Sequence, residues 1–327
     1  MNRQIFEYHP TIGHKFIRNL KTRVGHEAGG YLVKTNNWGF RSDIDFSQAK
    51  TEPQKKRILV FGDSFTAGDG VSNKFRFTDL LENSREDLEV YNFGISSTGT
   101  DQQYLTYEEF GKDVEADLIV IVVLVENIRR VNAHYRYYYD DKKNEVVYQK
   151  PYFELLGDEL VLRNTPVRKG PLKMADLDTS EQNKVDKGGR FEPLRKIIKN
   201  AGIQPLVQKF LHYQPLPEYN SRTNPEWILM KNVLKKWIIS LGTKKALLVP
   251  LPLYQYVEET SDPQPYEQRF SEISAEFGID LFNPLANLQE YSKSARRAFR
   301  FQTDIHPTQE GHMAIFKSLE NKVNGLI

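Results

Sequence analysis

The chain has 327 residues, 39% of them hydrophobic and 27% charged, the profile of a soluble globular protein of one large or two small domains. A formal net charge of +2 provides no field for nucleic acid, and the lack of cysteine excludes disulfides, thiolate metal sites and cysteine nucleophiles. The opening MNRQIFEYHPTIGHKF has no apolar run of the signal-peptide kind, and the longest apolar stretch, Leu118 to Val125, is too short to span a bilayer. A cytoplasmic protein without stable membrane insertion is expected.

In chain order, residues 1–54 read as an irregular or hairpin extension packed on the core, ending in Asn36-Asn-Trp-Gly-Phe-Arg41. The main domain is expected over 55–327. Arg57 to Phe61 is a short β-branched run closed by Gly62, the pattern of a buried parallel strand. A helix over Phe75–Asn83, a strand over Leu88–Phe93 and a helix over Asp101–Phe110 follow. Asp117 to Val125 is the most apolar strand and is expected at the sheet centre. Residues 131–222 interrupt the alternation as a long insertion. It begins with the aromatic run Tyr135-Arg-Tyr-Tyr-Tyr139, which suits a strand. Phe191 to Leu211 carries apolar residues at helical spacing, broken or kinked at Pro205. Its basic face suits either a membrane surface or, more commonly, solvent over a packed core. Asn224 then caps a helix with Pro225 at its first position. Lys245–Leu251 is a strand, Tyr266–Phe277 a helix, Ile279–Phe282 a short strand and Thr308–Val323 a final helix. This α/β alternation implies a parallel sheet covered on both faces. Ser64, Gly94 and Asn127 each follow a strand, so they fall along the carboxyl edge, where such sheets place their sites.

Ser64 sits at a strand-to-helix turn, where Gly62 permits a sharp bend. A serine nucleophile needs a base held by a third group. Asp304-Ile-His306-Pro307 offers both, with Pro307 keeping the histidine out of the helix that follows. Each fragment also has a structural reading. Gly-Asp-Ser favours turns, Asp304 could cap a helix, Gly94 could end a strand, and Asn127 could cap a turn. Asp63 reads as a turn former or loop anchor and His312 as packing. No His-Glu-x-x-His spacing occurs among the seven histidines, so no metal and no cofactor are expected.

Taken in order, Gly62-Asp63-Ser64, Asn92-Phe-Gly94, Glu126-Asn127 and Asp304-Ile-His306-Pro307 resemble the four signature blocks of the SGNH hydrolases, or GDSL-type esterases. The resemblance implies a flavodoxin-like three-layer αβα sandwich and a serine esterase that works through an acyl-enzyme. It assigns Ser64 as nucleophile, His306 as base and Asp304 as its orienter. The oxyanion hole would be the N–H groups of Ser64 and Gly94 with the side-chain amide of Asn127. The third block reads Val125-Glu-Asn-Ile128 rather than Gly-x-Asn-Asp, and a single residue separates Asp304 from His306. Asn36-x-x-Gly-Phe-Arg41, Lys150-Pro-Tyr-Phe-Glu-Leu and Leu160 to Pro166 resemble segments of bacterial SGNH proteins encoded with surface-polysaccharide enzymes. The implied substrate is an O-acyl, above all O-acetyl, ester of a carbohydrate or glycoconjugate. An O-acyltransferase using the same acyl-enzyme, a lipase, or a catalytically inactive carbohydrate-binding protein are the alternatives; the oligomeric state is open. The insertion is expected to cap the site. The candidate substrate contacts are Asp63, beside Ser64, and the insertion's Tyr135, Tyr137, Tyr138, Tyr139 and Tyr152, since a tyrosine offers a flat apolar face and a hydroxyl to a sugar.

Overall fold

The computed structural model describes residues 5–139, 144–186 and 214–327. Ahead of the core, four short strands make two antiparallel hairpins, β1 (Phe6–His9) with β2 (Gly13–Phe16) and β3 (Lys21–Val24) with β4 (Tyr31–Lys34). Phe16, Val24, Tyr31 and Val33 turn inward and cluster with Ala67, which follows the first core strand.

The core strands are short and apolar because both their faces are covered. β5 (Lys56–Phe61), β6 (Leu88–Asn92) and β7 (Leu118–Leu124) come first, and every residue of β7 is buried. The insertion supplies β8 (Tyr135–Tyr139), β9 (Glu145–Gln149), β10 (Tyr152–Leu156), β11 (Glu159–Arg163), β12 (Leu172–Lys173) and β13 (Val185–Asp186). Then β14 (Ala246–Leu251) and β15 (Asp280–Leu281) complete the central sheet. That sheet is parallel throughout, in the order β15-β14-β7-β5-β6. Numbered by chain position, its strands run 2-1-3-4-5, the flavodoxin-like order of a doubly wound sheet.

The winding direction reverses after β6, and right-handed crossovers then place successive connections on opposite faces. Phe77–Glu82, between β5 and β6, packs with the last helix, Gln309–Asn324. Thr100–Thr106, Pro225–Ser240 and Gln264–Phe277 pack together as the other helical layer. Three layers result. Local sequence sets the limits of Pro225–Ser240. The Asn224 side chain accepts the Trp227 N–H at 3.1 Å, and Pro225 occupies a position where no donor is needed. Trp227, Met230, Val233, Leu234 and Trp237 then bury one stripe. The helix expected over Asp101–Phe110 is α-helical to Thr106 and widens into a π turn over Tyr107–Gly111.

The reversal puts the switch point, at which doubly wound sheets place ligands, at the carboxyl ends of β5 and β7. In the insertion, β12-β9-β8-β13 form a small sheet around Tyr135, Val147 and Leu177. The β10–β11 hairpin lies against Thr100–Thr106 and Pro225–Ser240. A buried ion pair between Lys150 and Asp101, 2% and 0% exposed, fastens the insertion to Thr100–Thr106. The helical spacing read over 191–211 lies outside the described residues. Among the described residues, no helix is long and apolar enough to cross a membrane.

Candidate active site

Strand β5 ends at Phe61 and the chain turns at once into the one-turn helix Ser64–Ala67. A Cβ on Gly62 would stand 2.0 Å from Thr66 Oγ1, so only glycine lets the strand fold onto that turn. Asp63 caps the turn, accepting the Phe65 N–H at 3.0 Å. Ser64, 4% exposed, is the first helical residue. Its N–H, one of the orphan donors of a helix start, meets no acceptor among the described residues. Gly68 closes the turn in the left-handed region, with φ 79°.

The loop after β6 approaches the same turn from the side. A Cβ on Gly94 would lie 2.4 Å from the Ala67 backbone nitrogen, so Gly94 is there to allow close approach. Its N–H is donated to Asn92 Oδ1 at 2.9 Å. The Asn92 amide in turn donates to Thr66 O at 2.7 Å and Thr78 Oγ1 at 2.8 Å. The Gly94 N–H, expected as an oxyanion donor, is thus engaged by its own loop. Three residues on, Ser97 holds φ 66°, an unusual conformation for a residue with a side chain. Its N–H has no acceptor among the described residues.

Asn127 follows β7 as the first residue of a short helix, Asn127–Val131, and is fully buried. Its Oδ1 accepts from Arg130 at 3.0 Å, while its Nδ2 meets no acceptor in hydrogen-bond geometry among the described residues. Arginine only donates, so the oxygen must be the atom facing Arg130 and the NH2 must face away. The same Arg130 nitrogen donates to Asp63 Oδ2 at 2.9 Å and Thr98 O at 3.4 Å. One guanidinium thus ties together the three segments that carry Ser64, Ser97 and Asn127. Burial pushes the Asp63 carboxyl above its ordinary value, against the opposing charge of Arg130. One Asp63 oxygen is thus on the Phe65 N–H and the other on Arg130, so both are engaged within the protein.

The loop before the last helix brings the remaining pair. Thr308 caps that helix, accepting the Gly311 N–H at 3.2 Å, and Pro307 keeps His306 outside it. Asp304 Oδ1 accepts both the His306 backbone N–H, at 3.0 Å, and Nδ1–H, at 2.5 Å. One intervening residue is therefore enough for the carboxylate to hold the ring. The His306 ring packs on Phe65 with centroids 5.3 Å apart, which places it beside the Ser64 turn. Burial alone would lower His306. The Asp304 hydrogen bond, with the charges of Asp69, Asp304 and Asp63, holds it above the ordinary histidine value instead. Burial would raise Asp304, but its hydrogen bond and charge interaction with His306 hold it well below the usual carboxylate range.

Several contributors escape sequence reading. Arg41, fully buried, donates to Gly68 O at 2.6 Å, Val71 O at 2.7 Å and Asn73 Oδ1 at 3.0 Å. It thereby grips the loop that follows the Ser64 turn, while Asn36 Oδ1 accepts the Trp38 and Phe40 N–H groups and shapes the bend that delivers it. The Asn36-to-Arg41 motif signals that something is held there, but not what. Arg130 and His26 carry no local signal at all; His26 Nε2 donates to Asp304 Oδ2 at 3.1 Å.

The insertion tyrosines divide by strand alternation. Tyr135 and Tyr137 turn toward the insertion's own core, and the Tyr135 hydroxyl donates to Glu181 at 2.8 Å. Tyr139 is on the same side and exposed, its ring 5.4 Å from that of Tyr137. Tyr152 stacks on His134 at 3.5 Å. Tyr138 and Arg136, on the opposite face, line a cavity of about 180 Å³ with Phe6, Tyr8, His14 and Tyr148. Of the five tyrosines expected as substrate contacts, Tyr138 is the one that lines this cavity. His14 Nε2 donates to Ser96 O at 2.8 Å, so the cavity wall adjoins the loop carrying Ser97. Among the described residues, no group of three or more His, Asp or Glu side chains is placed to hold a metal ion.

No protein-family model and no curated protein matches the chain. Among solved structures, it is similar to a member of the lipolytic G-D-S-L family from Veillonella parvula, at 12% identity and a TM-score of 0.44 over 81% of this chain and 97% of that one. It is also similar to a lipase/acylhydrolase from Enterococcus faecalis, at 12% identity and a TM-score of 0.45 over 83% and 96% of the two chains. An acetyl xylan esterase from Geobacillus stearothermophilus is similar at 14% identity and a TM-score of 0.43 over 82% and 94%. At likeness this distant, the chemistry has to be read from the residues of this chain.

Proposed function

We propose that the chain is a serine ester hydrolase that works through an acyl-enzyme on Ser64. The observation that carries the reading is the Asp304–His306 pair packed on Phe65, next to a serine at the switch point of the sheet. His306, oriented through Nδ1 by Asp304, takes the Ser64 proton at Nε2 as the hydroxyl attacks the ester carbonyl. It returns that proton to the departing alcohol, then activates water to release the acid. The developing oxyanion is met by the N–H of Ser64, the N–H of Ser97 and the Asn127 amide, with Ser97 in place of Gly94. The buried Asn127 Nδ2 supports this assignment: it meets no acceptor in hydrogen-bond geometry among the described residues, although the Asp63 carboxylate lies within its electrostatic reach.

The substrate class we infer is an O-acylated carbohydrate. The cavity beside the Ser96–Ser97 loop supports it, with aromatic walls from Phe6, Tyr8, Tyr138 and Tyr148 and polar groups from His14 and Arg136. Aromatic faces rimmed by a few polar groups suit a sugar ring. The test joins p-nitrophenyl acetate turnover to a fluorophosphonate probe. The wild type should turn over the ester and carry the probe on Ser64, and Ser64→Ala should lose both while keeping its fold. Adduct on another serine, or near-normal turnover by Ser64→Ala, would refute the covalent reading.

A further inference from the structure

We propose that His26, on the turn between β3 and β4, is a positioning residue for the Asp304–His306 pair, so that the N-terminal segment completes the active site. The inference rests on the hydrolase reading above and adds a residue to its acid–base machinery.

The Asp304 carboxylate bridges two imidazoles. Oδ1 accepts from His306 Nδ1 at 2.5 Å and from the His306 backbone N–H at 3.0 Å, and Oδ2 accepts from His26 Nε2 at 3.1 Å. An ionised carboxylate only accepts, so Nε2 is the nitrogen of His26 that carries hydrogen. Asp304 lies on a loop and its side chain is 31% exposed. The terminal torsion of an aspartate is soft. Held through Oδ1 alone, the carboxylate could swing about that torsion and carry the His306 ring with it. With Oδ2 tied to His26, its plane is set, and with it the direction in which His306 Nε2 points.

His26 is itself well held. Its side chain is 12% exposed, and its ring stands edge-on to Phe301 at 4.3 Å and to Tyr31 at 6.0 Å. The next residue, Glu27, accepts the N–H groups of Gln302 at 2.6 Å and Thr303 at 2.9 Å, and also the Thr303 hydroxyl. Two successive side chains of one hairpin turn therefore grip the 301–306 loop. Gly30 permits the turn, since at φ 91° a Cβ there would meet Val24 O at 2.6 Å.

Ring packing and the hydrogen bond can be separated by substitution. His26→Phe keeps a ring against Phe301 and removes the donor; His26→Gln returns an amide N–H without the ring. For His26→Phe we expect kcat for p-nitrophenyl acetate to fall about 10–100-fold with KM little changed, the scale at which small misplacements of reacting groups act. Fluorophosphonate labelling of Ser64 should slow by the same factor. The far-downfield proton NMR signal of His306 Nδ1–H should shift or broaden. His26→Gln should recover most of the rate and the signal. If His26→Phe does not fold, His26→Leu takes its place.

A His26→Phe enzyme with wild-type kcat, labelling rate and Nδ1 proton overturns the inference, and so does a His26→Gln no better than His26→Phe. A wild type that never labels at Ser64 refutes the hydrolase reading instead; the Nδ1 proton then decides the role of His26 independently of turnover.

Discussion

Removing Arg130 should damage stability and catalysis by separable routes. Its guanidinium stands 2.9 Å from Asp63 Oδ2, with the two side chains 11% and 2% exposed. At an effective dielectric of about 20, that contact corresponds to about 6 kcal/mol of attraction. Breaking a buried pair from one side typically costs about 3–5 kcal/mol, since the surviving charge is left without compensation. Arg130→Met should therefore lower the unfolding free energy by about 3–5 kcal/mol in urea denaturation at neutral pH. Adding Asp63→Asn removes the stranded charge, so the double variant should regain at least about 2 kcal/mol of that loss. Activity should not return with it. Asn127 Oδ1 and Thr98 O would still lack their common donor, and kcat should stay about 10–100-fold down, as expected for loosened oxyanion donors. The pH dependence has a defined sign. Asp63 already lies above its ordinary value of 3.8 in the folded protein. Losing Arg130 raises it further, and an acid raised by folding costs stability at pH values above its unfolded value. The deficit of Arg130→Met should thus shrink as pH falls toward 3.8. Additive stability effects in the two variants, or full kcat in the double variant, would refute the view of Arg130 as the tie among these segments.

Asn127→Ala should lower kcat for p-nitrophenyl acetate by about 10²–10³-fold while KM barely moves, the signature of a donor that acts on the developing oxyanion; a change confined to KM would place Asn127 in ground-state binding. Tyr138→Ala should reduce kcat/KM for an acetylated sugar about tenfold, or about 1.4 kcal/mol, and leave p-nitrophenyl acetate untouched. Tyr139→Ala should leave both unchanged, and equal behaviour of the two variants would remove the cavity from the substrate path. The kcat/KM profile should lose activity on the acid side with a midpoint above 6.5, because His306 must be neutral to act as base and its surroundings hold it above that value; a midpoint below 6.5 would contradict the electrostatics of the pair.

The division between what was legible in the sequence and what was not follows the range of the interactions. Leu118–Leu124 announces itself because a strand covered on both faces must be apolar at every position. Asn224-Pro225 marks a helix start because a cap bonds within three residues. The same locality makes Asp304 and His306 readable as a pair, since their bond spans two residues. Gly94 was legible as a glycine at a strand end but not as a point of close approach. Only the packing of the β6 loop on Ala67 shows where its missing side chain would have gone and which acceptor takes its N–H. Ser97 gave no sign either, because a positive φ on a serine is imposed by the surrounding loop rather than by local preference. The five tyrosines looked alike in composition; strand alternation and the insertion's own core sent them to different faces. His26 lies 278 residues before Asp304, and no spacing rule reaches that far. Sequence by itself determined the elements of the central sheet and the chemically capable side chains, because propensity, periodicity and capping act over a few residues. Tertiary structure alone decided which donors stay unpaired and which distant groups hold the acid–base loop, because a hydrogen bond is directional and depends on where the whole fold brings both its ends.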